Sequence, residues 1–197
     1  DVAGDHAGTS VGSAGDVNGD GFDDVIVGAR YGDNGGISAG EAYVVFGGAS
    51  PVNVDLSTLT AIQGFIIQGN AAFDSAGQSV AAAGDVNGDD FDDVIVGAPG
   101  AADGAYVVFG GASPVNIDLT TLTATQGYFM LGDQAAIDSA GARVSSAGDV
   151  NGDGFDDVIV GASGADNGGQ EAGEAYVVFG MASGFGTINL ANLTTAQ

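Results

Sequence analysis

The sequence predicts an all-β fold made of β-propeller blades: three four-stranded antiparallel blades, forming an open arc or part of a larger propeller or assembly. Three observations carry that expectation. First, one stretch occurs three times, starting at 16, 85 and 149, so the periods are 69 and 64. A repeat of that length that cannot close its own core is the mark of an array or propeller. Second, the strand segments Val25-Ile26-Val27 and Tyr43-Val44-Val45-Phe46, with their echoes, are continuous apolar runs rather than alternations. Such runs predict burial on both sheet faces, as in a blade stacked between two neighbours. Third, each unit holds about four short strand segments joined by Gly-rich and Asp-rich turns, the make-up of a blade.

The elements follow in the same order in every unit. A small-residue strand comes first: Ser10 to Gly15, Ser79 to Gly84, Arg143 to Gly148. Its Ala, Gly and Ser suit the crowded innermost position near a propeller axis. A loop of nine residues follows, then Val-Ile-Val-Gly-Ala as the next strand out. A polar turn of variable length leads to Ala42 to Gly47, Ala105 to Gly110 and Ala175 to Gly180. From Ala29 to Tyr43 is 14 positions, from Ala98 to Tyr106 only 8, and from Ala162 to Tyr176 again 14, as expected of a surface loop. Tyr43, Phe46, Tyr106, Phe109, Tyr176 and Phe179 read as core, whereas Tyr31, inside the variable turn, reads as exposed. Two segments compete for the outer strand: 51–59 with its echoes, and 64–69 with its echo at 127–132. The repeat divides the chain into units at 1–69, 70–132 and 133–197.

The nine-residue loop reads as a calcium site. In the first copy, oxygen-bearing side chains stand at positions 1, 3, 5 and 9, as Asp16, Asn18, Asp20 and Asp24. Position 7, Phe22, offers a backbone carbonyl. The second set is Asp85, Asn87, Asp89, Phe91 and Asp93, and the third is Asp149, Asn151, Asp153, Phe155 and Asp157. Calcium takes six to eight hard oxygen ligands, and alternate positions of a tight turn aim such oxygens at one centre. Zinc would call for His and Cys. Position 6 must bend sharply and is Gly21 or Gly154, but Asp90 in the second copy, which predicts a strained yet intact site. The likeness to an EF-hand stops after the first half: position 12 is Val27, Val96 or Val160 instead of Glu, and the flanks are β-branched. About three calcium ions per chain are expected.

Composition narrows the partners. With 26 acidic residues against two basic ones, the net charge is −24, which argues against nucleic acid or an anionic membrane surface. Three divalent ions would bring it to −18. No apolar run reaches the roughly 18 residues of a membrane span. The chain has no Cys, so metal would take over the stapling role of disulfides, which fits a secreted or cell-surface protein. The opening Asp1 to His6 reads as a mature start or an excised fragment.

These residues resemble the FG-GAP repeat family, the blades of the integrin α-subunit propeller and of many bacterial secreted and surface proteins. The resemblance rests on Ser79-Val80, Ala83 to Asp89, Asp93 to Pro99 and Tyr106 to Gly110. Gly-Ala-Pro is literal only at 97–99, and Ala7-Gly8, Ala76-Gly77 and Ala140-Gly141 stand where the family has Phe-Gly. The resemblance implies a calcium-bearing propeller in extracellular adhesion or recognition.

Catalysis finds little support. The single His, His6, lies near one end and reads as a surface residue. A carboxylate pair for glycoside hydrolysis is conceivable, but the repeated Asp are accounted for as metal ligands. Three readings stay open: a non-catalytic module recognising a protein or glycan, a self-assembling structural repeat of a surface layer, sheath or filament, and the propeller domain of a secreted hydrolase. The end at Thr194 to Gln197 aligns with Thr123 to Gln126, just before the segment echoed at 127–132. The third unit is therefore expected to lack an outer strand, which a longer chain or a second copy would supply.

Overall fold

The computed structural model describes residues 4–50, 52–133, 138–166 and 172–193. They form β-structure with three short 3-10 turns. The strands are β1 (Ser10–Gly15), β2 (Asp24–Ala29), β3 (Glu41–Val45), β4 (Gly64–Gln68), β5 (Ser79–Gly84), β6 (Asp93–Ala98) and β7 (Gly104–Val108). Then come β8 (Ile117–Asp118), β9 (Gly127–Leu131), β10 (Ala140–Gly148), β11 (Asp157–Ala162), β12 (Glu174–Val178) and β13 (Ile188–Asn189). Three sheets result, ordered β1-β2-β3-β4-β8, β5-β6-β7-β9-β13 and β10-β11-β12. Within each, successive long strands pair antiparallel. This is the propeller blade expected from the repeat, three times over, in an open arc.

The small-residue strands lie innermost, as their composition requires. A Cβ on Gly12 would lie 3.4 Å from the Val80 carbonyl of the next blade. The Ser10 and Ser79 hydroxyls accept from the amides of Val80 (3.1 Å) and Val144 (3.1 Å) of the blade that follows each. Each inner strand bends into the Asp-rich loop at a register shift, between Ser13 and Gly15, Ala82 and Gly84, and Ser146 and Gly148.

The outer strand is the 64–69 segment, not 51–59. In the second and third repeats the competing segment leaves its own blade. It pairs parallel, as β8 and β13, with β4 and β9 of the blade before. Leu119 and Leu190 are thereby buried. A blade of four strands thus carries a fifth, borrowed from its neighbour, which the sequence did not announce. In the first repeat the same segment runs as coil over 52–55 into the 3-10 turn Leu56–Thr58, which buries no residue. Among the described residues the third blade has three strands. The alignment of 194–197 with the stretch before an outer strand lies outside the described residues.

Two cores fill the joints between blades. One joins Val17, Ile26, Val44, Phe65 and Ile67 to Val80, Val94, Val96 and Tyr106. The other joins Val86, Ile95, Val107, Tyr128 and Met130 to Val144, Val158 and Val160. Burial on both faces holds for the middle blade, whereas Val25 on the first blade is 48% exposed. Of the aromatic residues read as core, Tyr43 and Tyr106 are buried, while Phe46, Phe109, Tyr176 and Phe179 are half-buried. Tyr31 is half-buried rather than exposed, because the Arg30 guanidinium lies 4.5 Å over its ring and His6 meets it edge-on at 5.0 Å.

Candidate metal centres

The three loops fold onto their own carboxylates. In the first, Asp16 Oδ1 accepts from the Asp20 amide (3.0 Å) and Oδ2 from Gly21 (2.9 Å). Asn18 Oδ1 accepts from Asp20 (2.8 Å), and Asp20 Oδ1 from Phe22 (3.0 Å). The third repeats this with Asp149 accepting from Asp153 (3.1 Å) and Gly154 (3.0 Å), Asn151 from Asp153 (2.9 Å), and Asp153 from Phe155 (3.1 Å). The second has Asp85 accepting from Asp89 (3.1 Å) and Asp90 (3.0 Å), and Asp89 from Phe91 (3.1 Å). Backbone amides thus hold the side chains at positions 1 and 5 of every loop, and at position 3 of the first and third. Position 6 has the positive φ that the bend needs: 86° at Gly21, 95° at Gly154 and 71° at Asp90.

Position 9 behaves differently. Asp24, Asp93 and Asp157 start β2, β6 and β11 and are buried. Both oxygens of each are held: Asp93 accepts from Val86 (3.0 Å) and Gly110 (2.9 Å), Asp24 from Val17 (3.0 Å) and Gly47 (2.8 Å), and Asp157 from Val150 (2.8 Å) and Gly180 (3.0 Å). This residue therefore ties the loop to its own blade. Burial pushes the Asp93 carboxyl up to about 8, the Gly110 and Val86 amides pull it back, and the Asp89 and Asp85 charges raise it further. Burial also raises Asp24, with Asp20 and Asp16 adding.

Among the described residues no three His, Cys, Asp or Glu side chains form a ready metal cluster. In each loop positions 1, 5, 8 and 9 are acidic, with Asp90 added at position 6 of the second, and position 9 is turned to backbone amides. The donor set as a whole still suits a hard cation. It consists of oxygens only, and in the second loop it includes an orphan. Asn87 Nδ2 donates to Asp89 (3.0 Å), while Asn87 Oδ1 is buried with no hydrogen-bond partner. An unpaired buried acceptor at a ligand position is what a cation would satisfy.

Position 8, occupied by Asp23, Asp92 and Asp156, has a role that the sequence analysis does not assign. Asp92 Oδ2 accepts from the Asp16 amide at 2.7 Å, and its own amide donates to the Asp16 carbonyl at 3.2 Å. Asp156 holds Asp85 the same way, at 3.1 and 3.0 Å. The rings of Phe91 and Phe155 cover Gly19 and Gly88, where an added Cβ would come within 2.5 Å of each ring. Positions 7 and 8 of one loop therefore clamp the loop before it. Recurrence of Phe-Asp after every bend was the only sequence signal available.

Comparison with known proteins agrees with this architecture. The family model described as FG-GAP repeat matches residues 7–45, 76–112 and 140–178, more than half of the chain. Integrin alpha-5 of Xenopus laevis is 30% identical over 162 residues, which cover 78% of this chain and 14% of the relative. Integrin alpha pat-2 of Caenorhabditis elegans is 35% identical over 171 residues, covering 81% of this chain and 13% of the relative. The chain thus spans a small part of the length of these relatives.

Proposed function

The chain belongs to the FG-GAP repeat family, and from that premise we propose that it is a calcium-binding β-propeller module for adhesion or recognition, non-catalytic, acting outside the cell or at its surface. The likeness to integrin α chains supports a protein ligand. Among the described residues no helix is long and apolar enough to cross a membrane.

The observation that carries the proposal is the set of three loops whose carboxylates at positions 1 and 5 are pre-aimed by backbone amides, with the buried Asn87 Oδ1 left without a partner. One calcium ion per loop would be held by Asp16, Asn18, Asp20, the Phe22 carbonyl and Asp24, and by Asp85, Asn87, Asp89, Phe91 and Asp93. The third set is Asp149, Asn151, Asp153, Phe155 and Asp157. When bound, calcium supplies the positive charge that lets these carboxylates stay ionised side by side. Position 9 relays that gain into the blade through its two amide partners. A cation bound only by the folded chain stabilises it by about 4 kcal/mol per site at a thousandfold excess over Kd.

Titration calorimetry on the metal-free chain is expected to show three calcium ions taken up, and Asp20→Ala to remove one. A chelator is expected to lower the melting temperature. No calcium uptake, or melting indifferent to chelator, would overturn the reading.

A further inference from the structure

A second pair of buried carboxylates lies at the ends of the blades away from the nine-residue loops. β6 leaves its loop at Asp93 and ends at Ala98, and beyond that end the turn into β7 meets the segment that enters β10. The turn from β2 to β3 meets the segment that enters β5 in the same way. The two backbones match: Gly69 donates to the Gly40 carbonyl (2.9 Å), and Gly132 to the Asp103 carbonyl (2.7 Å). The side chains do not. Gly40, Asp103 and Gly173 stand just before β3, β7 and β12, so the second repeat alone places a carboxylate there.

Asp103 is 6% exposed, with one oxygen engaged and the other idle. Its Oδ1 accepts from the Ala140 amide at 2.8 Å, whereas Oδ2 has no hydrogen-bond partner. One blade earlier, the amide of Ala76 donates to the Ala39 carbonyl instead (2.9 Å), with no carboxylate involved. Asp103 Oδ2 lies beside Gly132, where an added Cβ would come within 2.9 Å of it. The next residue, Asp133, donates its amide to Asp138 Oδ2 at 3.1 Å. Asp138 is 2% exposed, and its Oδ1 also has no partner. Its counterpart Asp74 takes the amides of Ala71 (2.8 Å) and Ala102. Burial raises both the Asp103 and the Asp138 carboxyl. The Asp138 charge raises Asp103 further, and the charges of Asp133, Glu174 and Asp166 raise Asp138. Every charge acting on the pair is therefore negative. Buried acceptors are nearly always paired, and buried carboxylates that stay ionised need a counter-charge.

We propose that the idle oxygens of Asp103 and Asp138 bind one hard divalent cation, magnesium or calcium. Two carboxylates match its charge, and a donor set of oxygens without His or Cys suits a hard ion. Among the described residues no third carboxylate completes a cluster, so water fills the remaining ligand positions, as magnesium in particular allows. The site shares no residue with the nine-residue loops and stands apart from their reading as calcium sites.

The test is equilibrium dialysis of the whole metal-free chain against magnesium alone and against calcium alone, beside Asp103→Gly and Asp138→Asn. Glycine already stands at this place in the other two repeats, so Asp103→Gly is expected to fold. Asp138→Asn retains an oxygen for the Asp133 amide and serves as the second variant. The unaltered chain is expected to hold one ion more than either variant, and more weakly than the loops hold theirs. The salt in which that difference appears identifies the ion. Variants that hold as many ions as the unaltered chain in both salts would overturn the proposal. So would a chain that gains no ion here but loses stability as the pH rises through neutrality, unless residue 103 is glycine: a proton would then fill the gap. Asp20→Ala keeps the two ideas apart, since it is expected to lose a loop ion and retain this one. Loop ions without an Asp103-dependent ion would sink this site alone, and the reverse would sink the loops alone.

Discussion

The six residues Asp-Val-Ile-Val-Gly-Ala occur three times without a change, as β2, β6 and β11, and no two copies are buried alike. In the middle blade all six are buried. In the first blade the leading valine, Val25, is 48% exposed, whereas Val94 and Val158 are fully buried. In the last blade Ile159 and Gly161 are half-buried where Ile95 and Gly97 are buried. Local sequence therefore makes the strand, and the neighbouring blades decide what it is worth. A blade gains most of its stability through the joints on its two sides, as in other repeat architectures.

Deleting the same methyl groups at the two positions gives the widest separation. Val94→Ala removes two buried methyl groups from a joint that a preceding blade covers, at a cost of about 2 kcal/mol including the cavity. Val25→Ala stands on an uncovered face and is expected to change stability by less than about 0.5 kcal/mol. Urea unfolding of the two variants measures the difference. Equal losses would mean that the first face is covered in solution.

The fold was legible where a residue's role depends on its own unit. The apolar runs, the small inner strands, the nine-residue loops and the bend at position 6 all satisfy local rules of spacing and backbone geometry. What could not be read depends on the unit next door. The segment at 115–119 and its counterpart at 52–56 share the pattern Val-Asn-apolar-Asp-Leu, yet one crosses to the previous blade as β8 and the other stays as coil. Nothing within either segment distinguishes them; the presence of β4 beside the first does. Phe91 and Asp92 hide their role for the same reason. Their ring and carboxylate act on the loop of another blade, so their spacing within their own loop carries no trace of it.

The clamp between loops gives the second separation. Asp156→Ala takes away the acceptor of the Asp85 amide and loosens the second loop. The bond is partly exposed, so the expected loss is about 1 kcal/mol. If the position-1 residue ligates calcium, the same loss appears as roughly fivefold weaker binding at the second loop, with the first unchanged. Asp23→Ala, whose carboxylate clamps no other loop among the described residues, is expected to do neither. Calorimetry on the two variants decides, and equal effects would show that the position-8 carboxylate acts within its own loop.

The smallest effect belongs to the bend of the second loop. Asp90 sits at φ 71°, where its counterparts are Gly21 and Gly154. An L-residue in the left-handed region costs about 1–2 kcal/mol, at the low end for Asp. Asp90→Gly removes that strain and retains the amide that donates to Asp85 Oδ2 at 3.0 Å. It also frees the unfolded chain, which takes back about 0.5–1 kcal/mol. The net gain expected in the metal-free chain is therefore below about 1 kcal/mol, visible as a small rise in the urea midpoint. Calcium binding separates two roles for the side chain. If Asp90 only strains the bend, the variant binds calcium at least as tightly at the second loop. If its exposed carboxylate helps draw the ion in, the stability rises while the affinity falls, and the middle loop will have exchanged backbone comfort for charge.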